Sequence, residues 1–155
     1  MVSLRVVVCF ALFALATAAP KLEQCPGRSF PDLANNIQLS CKGTPCKLRK
    51  EHRVNITVKF TPDENVKEVN NNVVADVFGV PLPFIGVDGS TICDKLETES
   101  GEKTGCPLKA DTKYVYKDSF PILAIYPSIS VKVHWALKAG NKELACFEVP
   151  AKITS

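Results

Sequence analysis

A chain of 155 residues with 46% hydrophobic content is long enough for one domain with a real core and too short for several. Its 19 basic and 16 acidic residues leave a net charge of only +3, and no Lys/Arg cluster carries interleaved aromatics, which excludes a nucleic-acid-binding surface. The longest basic patch, Lys47-Leu48-Arg49-Lys50 with Arg53 nearby, reads as a solvated turn.

Residues 1–19 read as an export signal. Arg5 gives a basic start, Val6 to Ala16 is an apolar run too short to span a bilayer, and Ala16-Thr17-Ala18 offers a small-residue cleavage site. The mature domain is then 20–155, expected in a secreted, extracellular or luminal compartment, the lysosome included. Without Arg5 it carries 18 basic against 16 acidic residues, a net charge of +2. Cys9 leaves with the signal, so six cysteines remain: Cys25, Cys41, Cys46, Cys93, Cys106 and Cys146. An even count in an exported chain reads as three disulfides, with many pairings open. Closeness in sequence favours Cys41 with Cys46 and Cys93 with Cys106, leaving Cys25 for Cys146.

Along the mature chain, Pro26 to Pro31 is turn chemistry, and Leu33, Ile37 and Leu39 suggest one short strand ending near Ser40. Arg53 to Phe60 alternates, with Val54, Ile56, Val58 and Phe60 on one face. Asn55-Ile56-Thr57 on its polar face is a glycosylation acceptor at Asn55. Thr61 to Asn72 is polar and expected to be a loop. Val73 to Val80 reads as a strand running into Val80-Pro81-Leu82-Pro83-Phe84, where two prolines forbid regular ladder bonding. That segment is either an edge strand or an apolar lip on a cavity. The charged stretch between Cys93 and Cys106 reads as a surface loop, and Tyr114 and Tyr116 share one face of the next strand.

The cleanest period of two lies in Ile129 to Leu137, where Ile129, Val131, Val133, Trp135 and Leu137 are apolar and Ser128, Ser130, Lys132, His134 and Lys138 are the polar residues of the alternation. Lys138 to Lys142 is a hairpin turn, and the last strand sets Ala145, Phe147, Val149, Ala151 and Ile153 inward. Helical periodicity is absent. About seven short strands whose apolar faces need covering predict an all-β, immunoglobulin-like sandwich of two sheets. The chemistry of an enzyme is missing: His52 and His134 stand in no ligand spacing, no nucleophile elbow occurs, and the mature cysteines are expected to be bridged. No cofactor and no metal are expected.

Blocks spread through the whole mature chain carry a resemblance. Pro45-Cys46-Lys47-Leu48, Val54-Asn55-Ile56-Thr57, Gly79-Val80-Pro81-Leu82-Pro83-Phe84, Gly105-Cys106-Pro107-Leu108, Tyr126-Pro127-Ser128-Ile129 through Trp135, and Cys146-Phe147-Glu148-Val149-Pro150 resemble the lipid-recognition (ML) family of Niemann-Pick type C protein 2. The resemblance implies a sandwich that splays to hold a lipid in an internal apolar cavity, and the pairings Cys25 to Cys146, Cys41 to Cys46 and Cys93 to Cys106. It implies a mouth at Phe84, Ile122 and Tyr126, and walls at Val54, Val73, Val77, Phe120, Pro121, Trp135, Phe147 and Val149. It further implies a monomeric, non-enzymatic carrier of sterol or a related lipid, meeting a membrane or a membrane protein transiently. Microbial lipids in innate immunity, or fatty acids and small semiochemical lipids, are the alternative cargoes.

Overall fold

Alternation decides the architecture. In the computed structural model, which describes residues 18–155, the period-two segments become long strands, each with one buried face. The export-signal reading and Cys9 lie outside the described residues, except for Ala18 and Ala19. The strands are β1 (Ile37–Leu39), β2 (Cys46–Arg49), β3 (Arg53–Phe60), β4 (Asn70–Val77), β5 (Val80–Pro83), β6 (Leu96–Thr98), β7 (Lys103–Thr104), β8 (Tyr114–Pro121), β9 (Ser130–Ala139) and β10 (Lys142–Thr154). They form two five-stranded sheets, β2-β10-β9-β4-β5 and β1-β3-β8-β6-β7. Every pairing is antiparallel except β2 with β10. The two sheets face one another as an immunoglobulin-like sandwich, and their inward residues form one main core.

The strand count exceeds the expected seven because the short strands carry too few residues to show a period. The stretch between Cys93 and Cys106 is a correction of this kind. β6 and β7 pair as a hairpin on the edge of the second sheet, and Leu96 is fully buried there, whereas the sequence read as a plain surface loop. A one-turn helix, α1 (Leu33–Asn36), precedes β1 where no helix was expected, since four residues cannot display a helical period. The expected loop 61–72 ends early as well, because β4 begins at Asn70.

Three disulfides join Cys25 to Cys146, Cys41 to Cys46 and Cys93 to Cys106, with Cα separations of 5.9, 5.5 and 5.1 Å. The first spans 121 residues and ties the segment before α1 to β10. Glu23 pairs through its backbone with Glu148 beside it, so the N-terminal segment is held against the first sheet. Among the described residues no helix is long and apolar enough to cross a membrane.

Candidate functional site: an apolar seam between the sheets

The inward residues of β9 and β10 meet those of β3 and β8 across the interlayer. Register places Trp135 opposite Phe147 on one side and Val73 on the other, while Phe120 lies opposite Val54 in the second sheet. The aromatic rings then stack into a wall. Trp135 lies over Phe147 with centroids 6.2 Å apart and planes 11° from parallel, and Phe120 sits 5.1 Å from Trp135. Phe84 meets Phe120 and Tyr126 edge-on at 6.3 and 5.6 Å. Such offset and edge-on pairs are the favourable aromatic geometries.

These residues enclose a wholly apolar cavity of about 20 Å³. Of the residues predicted as lining, Val54, Val73, Phe84, Phe120, Trp135, Phe147 and Val149 meet there. Tyr126 stands half-buried beyond Phe84, and its hydroxyl accepts a hydrogen bond from the Ile85 N–H at 3.0 Å. The structure does not bring Val77, Pro121 or Ile122 to the wall. Val77 and Pro121 are half-buried at strand ends, and Ile122, expected at the mouth, is fully buried and fixes the turn at Glu51 and His52 by two backbone hydrogen bonds. Phe84 is also deeper than expected. After the prolines of β5 the chain turns back, the Phe84 N–H donates to Val73, and the ring is 4% exposed. The edge strand is realised in Val80–Pro83, and Phe84 after it is part of the core.

Sequence reasoning missed Leu39, Cys41, Cys46, Leu48, Val133 and Ala151 in the lining. Val133 and Ala151 stand in phase with Trp135 and Val149, so the alternation already pointed to them. The others belong to β1, β2 and their disulfide, where the strands are too short to carry a phase.

What remains exposed outside Phe84 is apolar. Val80 and Leu82 lie on the edge strand, Ile85 follows Phe84, and Ile125 precedes Tyr126 at 75% exposure. Phe78 stands at the β4–β5 hairpin tip at 94% exposure, held with positive φ beside Gly79 in a two-residue turn that Asp76 braces by accepting the Gly79 N–H. A phenylalanine in the left-handed region with its ring in water is costly in isolation. Of these, Ile85 and Ile125 adjoin the seam, through their chain neighbours Phe84 and Tyr126.

The opposite side of the aromatic wall is polar. The Trp135 indole N–H donates to Asn71 Oδ1 at 3.0 Å, and Asn71 Nδ2 donates to the Tyr116 hydroxyl at 2.9 Å and to Ser90 at 3.1 Å. The Tyr116 hydroxyl donates in turn to Asp118 Oδ2 at 2.9 Å, which also accepts from Lys95 Nζ at 2.9 Å. Burial pushes the Tyr116 phenol up, so it stays a donor. Burial also works to raise the Asp118 carboxyl. The Lys95 ammonium, the Ser119 N–H and the Tyr116 hydroxyl outweigh it and hold that carboxyl below its ordinary value.

Nothing in the described residues assembles a catalytic or metal centre. Cys25, His134 and Cys146 lie close together, but the two sulfurs are joined, and the imidazole turns to Glu148 at 3.2 Å. Two facing sheets with an aromatic wall along a wholly apolar interlayer define the class, an immunoglobulin-like sandwich.

The chain belongs to the ML domain family, whose profile matches residues 19–153. It is thereby a lipid-binding protein rather than an enzyme. It is 30% identical over 156 residues to the NPC intracellular cholesterol transporter 2 homolog a of Drosophila melanogaster, covering 99% of each chain. It is 31% identical over 108 residues to the ecdysteroid-regulated 16 kDa protein of Manduca sexta, covering 70% of each. Among solved structures it is similar to a Niemann-Pick type C2 protein from the Japanese carpenter ant, with a TM-score of 0.65, 24% identity, and coverage of 90% of this chain and 96% of that one. Chicken MD-1 complexed with lipid IVa shares the fold at a TM-score of 0.52 and 16% identity, over 83% and 85% of the two chains.

Proposed function

We propose that this protein is an exported carrier that takes a sterol or a related lipid between its sheets and delivers it at a membrane. The observation that carries the reading is the continuity of the aromatic wall with the exposed apolar rim. Phe120, Phe84 and Tyr126 lead from the buried seam directly to Ile85 and Ile125 at the surface. A lipid leaving a membrane against this rim stays in apolar surroundings throughout. Relatives named as cholesterol transporters favour sterol as the cargo.

Uptake requires the seam to open. A sterol-sized ligand needs a pocket of at least roughly 300 Å³, against the 20 Å³ between the closed side chains. Opening separates apolar surfaces that the ligand covers again, and the one polar contact there, the Ile85 N–H to the Tyr126 hydroxyl, is exposed and can turn to water, so the exchange is close to balanced. About 28 heavy atoms at about 0.3 kcal/mol each give roughly 8 kcal/mol, near micromolar affinity, which permits both holding and release. Asn55 is exposed on β3, with its backbone N–H bonded to Ser40, and is open to carry a glycan in the exported protein.

Lipid extraction and mass spectrometry of protein purified from its native source test the cargo. Sterols as the dominant class are the expected result. A dominant microbial glycolipid, or mixed fatty acids without sterol, would replace sterol as the cargo.

A further inference from the structure

The polar chain that starts at the Trp135 indole N–H and runs through Asn71, Tyr116 and Asp118 to Lys95 offers an apolar ligand no contact beyond the Trp135 ring, yet it crosses the sandwich directly beside the wall. Asn71 is the one buried polar residue among the described ones, at 2% exposure. Its backbone is fixed as firmly as its side chain, the N–H donating to the Ser90 carbonyl and its own carbonyl accepting from the Gly89 N–H. Asn71 lies one inward step beyond the wall residue Val73 on β4, opposite Leu137, and its amide reaches Tyr116 on the other sheet. Tyr116, opposite Val58, lies two inward steps beyond the wall residue Phe120. All three groups are saturated: the indole N–H, both faces of the amide, and the phenol.

We infer that Asn71, Tyr116 and Trp135 form a fixed floor that sets how far an apolar chain can enter between the sheets, so that the protein selects lipids by apolar length. The inference rests on the lipid-carrier reading and names what limits its cargo. Parting Phe84 from Phe120 strands no buried polar group, since the Ile85 N–H and the Tyr126 hydroxyl beside them are already at the surface, and the entering lipid replaces the lost contacts. Parting Asn71 from Tyr116 strands buried donors and acceptors that a methylene chain cannot satisfy. The seam therefore widens on the Phe84 side and stops at Asn71, and a longer tail gains nothing by pressing further.

The test is a homologous series of saturated fatty acids, from about eight to about twenty carbons, titrated by displacement of a fluorescent lipid. In the wild type each added methylene strengthens binding about fourfold until the tail reaches the floor, beyond which affinity levels off. Tyr116→Phe keeps the ring volume and removes the bond between the sheets, and Asn71→Ala opens the floor. Each moves the break to chains longer by about two methylenes, while short-chain affinities change less than about threefold. Near-ultraviolet circular dichroism of Trp135 establishes that each variant is folded, and Tyr116→Phe alone decides if Asn71→Ala does not fold. A break at the same length in folded variants and wild type, or no break at all, overturns the floor and leaves the carrier reading standing. A folded wild type that binds neither fatty acid nor sterol overturns the carrier reading, and the floor falls with it.

Discussion

The two flanks of the aromatic wall hold the sheets together by different means. On the Phe84 side the contacts are ring against ring, with Tyr126 as an outer bracket through the Ile85 N–H. On the Asn71 side they are hydrogen bonds running from a buried indole to a surface ammonium. Apolar contact is non-directional and survives exchange of one apolar partner for another. A saturated polar chain survives only in one geometry. A sandwich that must open and close reversibly is therefore expected to open where Phe84 lies and to stay shut at Asn71.

The harshest way to break this comparison is Trp135→Ala, because the indole belongs to both flanks. Losing it leaves a large void and an unpaired Asn71 carbonyl, so stability should fall by about 4 to 5 kcal/mol by denaturant titration. Phe84→Ala removes only the apolar side. At 4% exposure the ring is core as well as wall, so a loss of about 3 kcal/mol is expected, with lipid affinity at least about tenfold weaker. A stability change as small as that of the exposed Ile125→Ala would show that the Phe84 side does not hold the sheets. Tyr116→Phe deletes two hydrogen bonds and leaves a buried Asn71 N–H unpaired, so it should cost about 2 kcal/mol and leave short-chain lipid binding in place.

The mildest test is acid. The Asp118 carboxyl lies lower in the folded protein than in the unfolded chain, so the stability it adds is present above the unfolded value near about pH 4 and is lost as pH falls through the folded one. Between about pH 7 and about pH 5 the floor should contribute a constant amount. Melting curves of wild type and Asp118→Asn should therefore keep a fixed separation over that range and converge only below about pH 4. Convergence already near about pH 5 would mean that the floor loosens in mildly acidic compartments.

How much of this was legible in the sequence follows the length of each period. β3 was readable because eight residues alternate without a break, and β9 and the inner face of β10 because the period holds on either side of short buried runs, Trp135 to Leu137 and Leu144 to Phe147. β6, β7 and α1 were not, since two to four residues carry no phase. The wall emerged from β3, β8, β9 and β10, with Val133 and Ala151 available by the same phase. Ile122 and Val77 illustrate the limit of resemblance: each sits one turn or one strand end away from the wall, where backbone direction rather than residue type decides. Asn71 is the instructive case. Its phase with Val73 and Ala75 places it inward, but an asparagine in a run of asparagines reads as a loop, and only the tertiary fold supplies the tyrosine and tryptophan that satisfy it.

Trp135 is the chain's only tryptophan and stands in the wall between seam and floor. Resonance energy transfer from its indole to a fluorescent sterol thus reports directly on occupancy between the sheets. Saturable transfer, reaching one ligand per chain and reversed by unlabelled lipid, is the predicted result. A folded protein whose Trp135 shows no transfer, while the sterol still binds elsewhere or not at all, would contradict the interlayer site.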